Sequence, residues 1–141
     1  MKDRDFEEIS QADTPLYGPR KLLVCGFPAE VQTKFIQLLE MLEMGDLPIV
    51  WSAAEDAERK VGELAELPDK SGMGRSSDLP RAIIVCGITE KELHRLMEGC
   101  RMSGMKRPLW AVLTPTSENW TLKEVLKHLQ AEREALEKRK E

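Results

Sequence analysis

No apolar run in this sequence of 141 residues approaches the roughly 18–20 residues that a membrane-spanning helix needs, so no membrane partner is expected. The opening stretch "MKDRDFEEISQAD" lacks the greasy centre of a secretory signal and the Arg-rich, acid-poor character of a transit peptide. Concentrated positive charge is missing as well. The net charge is −4, and the one basic cluster, "EKRKE" at the C-terminus, is interleaved with Glu. Nucleic acid is therefore not an expected partner, because phosphate binding wants clustered Lys and Arg. Cysteine occurs three times, an odd number without an export signal, which argues against a disulfide framework and for free thiols in a cytoplasmic protein.

Recognisable catalytic patterns are also lacking. There is no G-x-S-x-G, no His beside a Cys or Ser, and no pair of carboxylates at strand ends. Neither a G-x-G-x-x-G nor a P-loop is present. His94 and His128 fall on separate predicted helices, and no His follows a Cys at metal-ligand spacing. No cofactor or metal is expected, and a catalytic role ranks behind the alternatives.

What is present is a repetition. "LLVCGF" (22–27) returns as "IIVCGI" (83–88), each a continuous apolar run that turns at Gly toward a helix. Such runs are expected of strands buried on both faces. After the first, Pro28 suits an opening helical turn, and Val31, Phe35, Leu38, Leu39 and Leu42 repeat at spacings of three and four up to Gly45. Leu47–Ala53 is a second, shorter strand, and "AAEDAERKVGELAEL" reads as a helix with Ala57, Val61, Leu64 and Ala65 inward. The segment 68–79, "PDKSGMGRSSD" with its neighbours, is rich in Gly, Ser and charge and predicts a flexible loop. Thr89 and Glu92 make a capping box that opens a helix continued by Leu93, Leu96, Met97 and Cys100. "PLWAVLT" is a fourth strand. Thr121 and Glu124 open a last helix, about 121–139, with Leu122, Val125, Leu126, Leu129 and Leu136 along one side.

Strand and helix thus alternate four times. The expected fold is a single α/β domain over 20–141 behind a flexible leader, 1–19, with a short helical piece around Asp5–Ile9. It has three layers and a four-stranded parallel sheet of order 2-1-3-4, because each strand-to-strand crossover would be a right-handed βαβ unit. The layout resembles a truncated flavodoxin or response-regulator receiver sheet. The receiver resemblance implies acidic residues after the first strand and a phosphoacceptor Asp after the third. Gly26, Phe27, Cys86 and Gly87 stand there instead; only Thr114, after the fourth strand, fits, so receiver phosphorylation chemistry is not expected. More specifically, the two VCG strands with "PLWAVLTPTSENWTLKEVLKHL" resemble a small bacterial family of domains of unknown function. That resemblance brings no activity with it.

In a parallel α/β sheet, ligands gather at the carboxyl ends of strands where the strand order reverses. The candidate edge therefore holds Cys25, Gly26, Cys86 and Gly87, with Thr114, Thr116, Ser117, Asn119 and Trp120 beside it. In matching register the two thiols would stand on strands about 4.8 Å apart, a candidate ligand, soft-metal or redox-sensing pair. The plainer account makes each Cys a small buried hydrophobe. Phosphate binding at the glycines is opposed by Glu30, Glu90 and Glu92 in the helix openings. The hydroxyls of "TPTSENW" either recognise a ligand or close local turns, with Trp120 stapled onto the last helix. The overall expectation is a non-catalytic regulatory or protein-interaction domain, binding another protein or itself through the C-terminal helix. Its alternative is a small-ligand, metal or redox sensor on the Cys25/Cys86 edge.

Overall fold

In the computed structural model, which describes residues 13–140, both VCG runs are central strands, and sheet faces covered above and below explain their unbroken apolar character. The elements are β1 (Lys21–Cys25), α1 (Ala29–Met41), β2 (Ile49–Ser52), α2 (Val61–Ala65), β3 (Ala82–Cys86), α3 (Glu90–Met102), β4 (Leu109–Val112) and α4 (Leu122–Lys140). The sheet order is β2-β1-β3-β4. One face packs on α1 and α3 through Leu22, Val24, Ile83 and Val85 against Phe35, Leu39, Leu96 and Cys100. Phe27, Phe35 and Trp51 meet edge to face there, with ring centroids 5.3 to 6.2 Å apart. The other face carries Leu23, Cys25, Ile84 and Cys86 against Val61 and Leu64 of α2 and Leu122, Val125 and Leu126 of α4. Three layers result.

Strand direction departs from the expectation. β1 runs parallel to β2, and β3 to β4, but β1 and β3 are antiparallel, so the sheet is mixed. The cause lies between β2 and β3. The long helix expected from "AAEDAERKVGELAEL" is broken into a single turn, Ala54–Asp56, and the short α2. Backbone that would have continued it is engaged elsewhere: Val61 N–H donates to Trp120 O, Leu122 N–H to Arg59 O and Lys123 N–H to Ala57 O. These bonds fasten the start of α4. Without a full crossover helix, the chain enters β3 from the end of the sheet where β1 finishes.

The result is a local two-fold relation between the halves. Leu23 and Ile84, equivalent positions in the two VCG copies, pair directly with each other. Each copy's glycine then abuts the entry to the other copy's strand. Gly26 (φ +76°) leaves only 2.4 Å between an added Cβ and Leu79 O, and Gly87 (φ +63°) leaves 2.4 Å to Gly18 O. The Pro-Arg steps there, Pro19-Arg20 and Pro80-Arg81, occupy corresponding places before β1 and β3. The helical piece expected around Asp5–Ile9 lies outside the described residues.

Candidate functional site

The antiparallel centre separates the two thiols. Cys25 pairs with Ala82, and Cys86 with Lys21 at the other end of the ladder. Four residue steps of strand separate them, about 13 Å at ~3.3 Å per residue. The expected crevice between β1 and β3 is corrected accordingly: Cys25 and Gly26 belong to one end of the sheet, Cys86 and Gly87 to the other. Burial pushes both thiols up to about 12, which keeps them protonated and poorly nucleophilic near neutral pH. Cys100, also buried, is pushed up to about 11. Among the described residues no group of three His, Cys, Asp or Glu side chains is placed to hold a metal.

The glycines do not open onto a ligand either. The space above Gly87 is filled by the backbone of Gly18, Pro19 and Arg20, and that above Gly26 by Leu79 to Arg81. The Arg81 guanidinium lies over the Phe27 ring, 5.0 Å from its centroid. At the start of α1, Ser76 Oγ accepts from Ala29 N–H, and Ser77 Oγ accepts from Gly26 N–H. At the start of α3, Glu92 accepts from Thr89 N–H while Thr89 Oγ1 accepts from Glu92 N–H. Arg20 grips the same Glu92 with two bonds of 2.7 and 2.8 Å and holds its carboxyl below the usual carboxylate range. The Ser76, Ser77, Thr89 and Glu92 groups at these strand ends are thus engaged within the chain, while Ser52 Oγ and Arg81 Nε are buried without a hydrogen-bond partner among the described residues.

Thr114, Thr116, Ser117 and Trp120 do share a feature, a hollow of about 250 Å³ on the α4 side of β4, with Val125, His128 and Leu129 completing its wall. Its hydroxyls serve a local turn. Ser117 Oγ accepts from Thr114 N–H at 3.0 Å, and Thr114 Oγ1 accepts from Ser117 N–H at 3.0 Å. Asn119 bonds back to Pro115 O. Trp120 precedes the Thr121–Glu124 capping box and rests edge-on to His128, 5.7 Å between centroids.

The feature sequence reasoning missed is the contrast between the two edges of the sheet. Strand alternation turns the backbone groups of Ile49 and Trp51 outward from β2, and those of Trp110 and Val112 outward from β4. The loop after α2 serves β2 fully. Ile49 N–H donates to Asp69 Oδ1, Ile49 O accepts from Lys70 N–H, Trp51 N–H donates to Ser71 O, and Trp51 O accepts from Arg75. Gln32, buried on α1, holds that loop in place: its amide donates to Phe27 O and Arg75 O, and its Oε1 accepts from Gly74 N–H. Composition marked this segment as flexible; the Gln32 amide and the β2 backbone give its backbone partners, and its own Ser76 and Ser77 hydroxyls bond the start of α1.

β4 has no such cover. Its four outward groups, the N–H and C=O of Trp110 and of Val112, have no partner among the described residues. Only Pro108 O, one step earlier, is met, by Arg133 at 3.0 Å. Beside this edge a groove of about 730 Å³ runs between α3 and α4, with Met97, Trp110, Leu129 and Leu136 as its apolar wall and Glu98, Arg101, Glu132 and Arg133 along its rims. Leu129 also borders the smaller hollow, so the apolar surface continues along β4. The nearest sequence signal was Leu136, the last member of the apolar stripe on the C-terminal helix.

Residues 81–136, which span β3, α3, β4 and most of α4, match a family described as a domain of unknown function, DUF3783. The match therefore covers the half of the sheet that carries the open edge. No curated protein and no solved structure matches the chain. No helix among the described residues is long and apolar enough to cross a membrane.

Proposed function

We propose that this protein is an interaction module that receives an extended polypeptide segment along the open edge of β4. One observation carries the reading: the loop closes all four outward backbone groups of β2, while the corresponding four on β4 have no partner among the described residues, with Trp110 beside the groove and Val112 beside the smaller hollow. An unpaired edge is a template for strand addition, in which main-chain hydrogen bonds give affinity and side-chain pockets give selectivity. The walls of α3 and α4 supply such pockets, and α4 is the C-terminal helix expected to meet a partner. The sensor alternative loses its footing, because the thiols it needs lie about four residues apart along an antiparallel ladder. Val112→Pro tests the module directly. Of the backbone's bonding groups proline removes only an outward N–H, and it is tolerated on edge strands, though the Val112 side chain packed on the core is exchanged with it. In affinity capture from the native host, the wild type should retain a protein that a folded Val112→Pro variant loses. Equal capture by both would refute the reading.

A further inference from the structure

Resting on that edge-binding reading, we infer that the segment received by β4 is β4 of a second copy of this chain, paired antiparallel about a two-fold axis at Ala111. Three observations lead there. First, the free backbone groups are symmetric about Ala111: Trp110 and Val112 each present one N–H and one C=O. Turning a second β4 through the two-fold sets Trp110 opposite the partner's Val112, and each pair exchanges two bonds, four in all. Second, the groove is self-complementary in charge. Its α3 wall presents Glu98 paired with Arg101 one turn later, and its α4 wall presents Glu132, which meets His128, beside Arg133, which donates to Pro108 O; all four keep solvent-facing sides along the groove. An isologous two-fold brings the acid of one wall toward the base of the same wall on the other copy. A ligand strand of a single charge sign would meet repulsion on both walls. Third, exposed apolar side chains line the groove beside β4. Met97 is 38% exposed and Leu136 56% exposed, both on helices that flank β4.

The pairing would join two sheets into one of eight strands, and it repeats between chains what β1 and β3 do within one.

The test is the solution mass of the whole purified chain across a wide concentration range, by sedimentation velocity, with amide exchange read at Trp110 and Val112. The expected result is twice the mass of one chain, with protection at those two amides that rises with concentration. Val112→Pro should be monomeric. Glu98→Arg and Arg101→Glu, each of which also breaks the Glu98–Arg101 pair within α3, should each weaken association at least tenfold, and mixing the two variants should restore a dimer, a rescue that a merely structural role would not give. Should Val112→Pro fail to fold, the charge pair still decides. A wild type that stays monomeric throughout overturns the second-copy occupant, while edge-dependent capture of a different protein would leave the module reading standing. A dimer that survives both Val112→Pro and Glu98→Arg overturns the edge as its seat.

Discussion

Replacing Gly87 with alanine puts the crossed arrangement of the two halves to a quantitative test. At φ +63° an L-residue is strained, at roughly 1–2 kcal/mol. The added Cβ would also lie 2.4 Å from Gly18 O, 2.6 Å from Pro19 C and 2.7 Å from Arg20 N. All three are main-chain atoms that cannot rotate aside, so the entry to β1 must shift, an overpacking cost of about 1–3 kcal/mol. The expected loss is about 2–5 kcal/mol, a large share of a typical stability of about 5–15 kcal/mol. Gly104 is the control. It has φ +77° with nothing within 4 Å of an added Cβ, so Gly104→Ala carries the strain alone, roughly 1–2 kcal/mol. Urea denaturation followed by circular dichroism, with slopes compared as well as midpoints, reads both. Gly26→Ala, whose Cβ meets Leu79 O at 2.4 Å, should behave like Gly87→Ala. If Gly87→Ala costs no more than Gly104→Ala, the glycine faces open space and the close approach of the two halves is wrong.

Gln32→Ala removes three hydrogen bonds that hold the loop over β2 and should cost about 2–3 kcal/mol, with faster amide exchange at Gly74 and Trp51; unchanged exchange there would contradict the latch. Alkylation of the native protein near neutral pH should leave Cys25 and Cys86 unmodified by mass spectrometry, since thiols pushed up to about 12 carry almost no thiolate, and unfolding should expose both. Glu92→Gln should lower stability by about 0.5–1 kcal/mol at neutral pH, where the paired carboxylate is ionised. Because the folded carboxyl titrates below its ordinary value of 4.5, that contribution is complete above 4.5 and is lost as pH falls through the depressed folded value. Wild-type and variant stabilities should therefore converge in acid, and a gap that persists there would argue against the Arg20 pairing.

The candidate site was legible in sequence only in fragments. Thr114, Thr116, Ser117 and Trp120 were expected at one edge and do border one hollow, yet the Thr114 and Ser117 hydroxyls close a turn, as local bonding by Thr and Ser allows. Cys25 and Cys86 were drawn together by their identical settings, and the ladder sets them apart. Trp110 and Val112 carried no signal, because an unpaired N–H is a property of what lies beside a strand and leaves no mark on the strand's own residues.

By itself the sequence determined most of the elements and much of what they bury, the run 53–67 and the exposed Met97 and Leu136 excepted. Apolar runs bounded by Gly and Pro placed the four strands, three- and four-residue spacings placed the helices, and the Thr89–Glu92 and Thr121–Glu124 boxes set two helix starts from bonds spanning three residues. Even the order β2-β1-β3-β4 was within reach. Direction belonged to the tertiary structure. A run such as "AIIVC", buried on both faces, is as apolar read backward as forward, so periodicity holds no sign of which way the strand points. That sign was decided by residues 57–61, whose backbone was taken by the start of α4 instead of a crossover helix. The same long-range bonding laid the loop along β2 and left β4 open, because hydrogen bonds between distant segments are settled only when the chain has closed on itself.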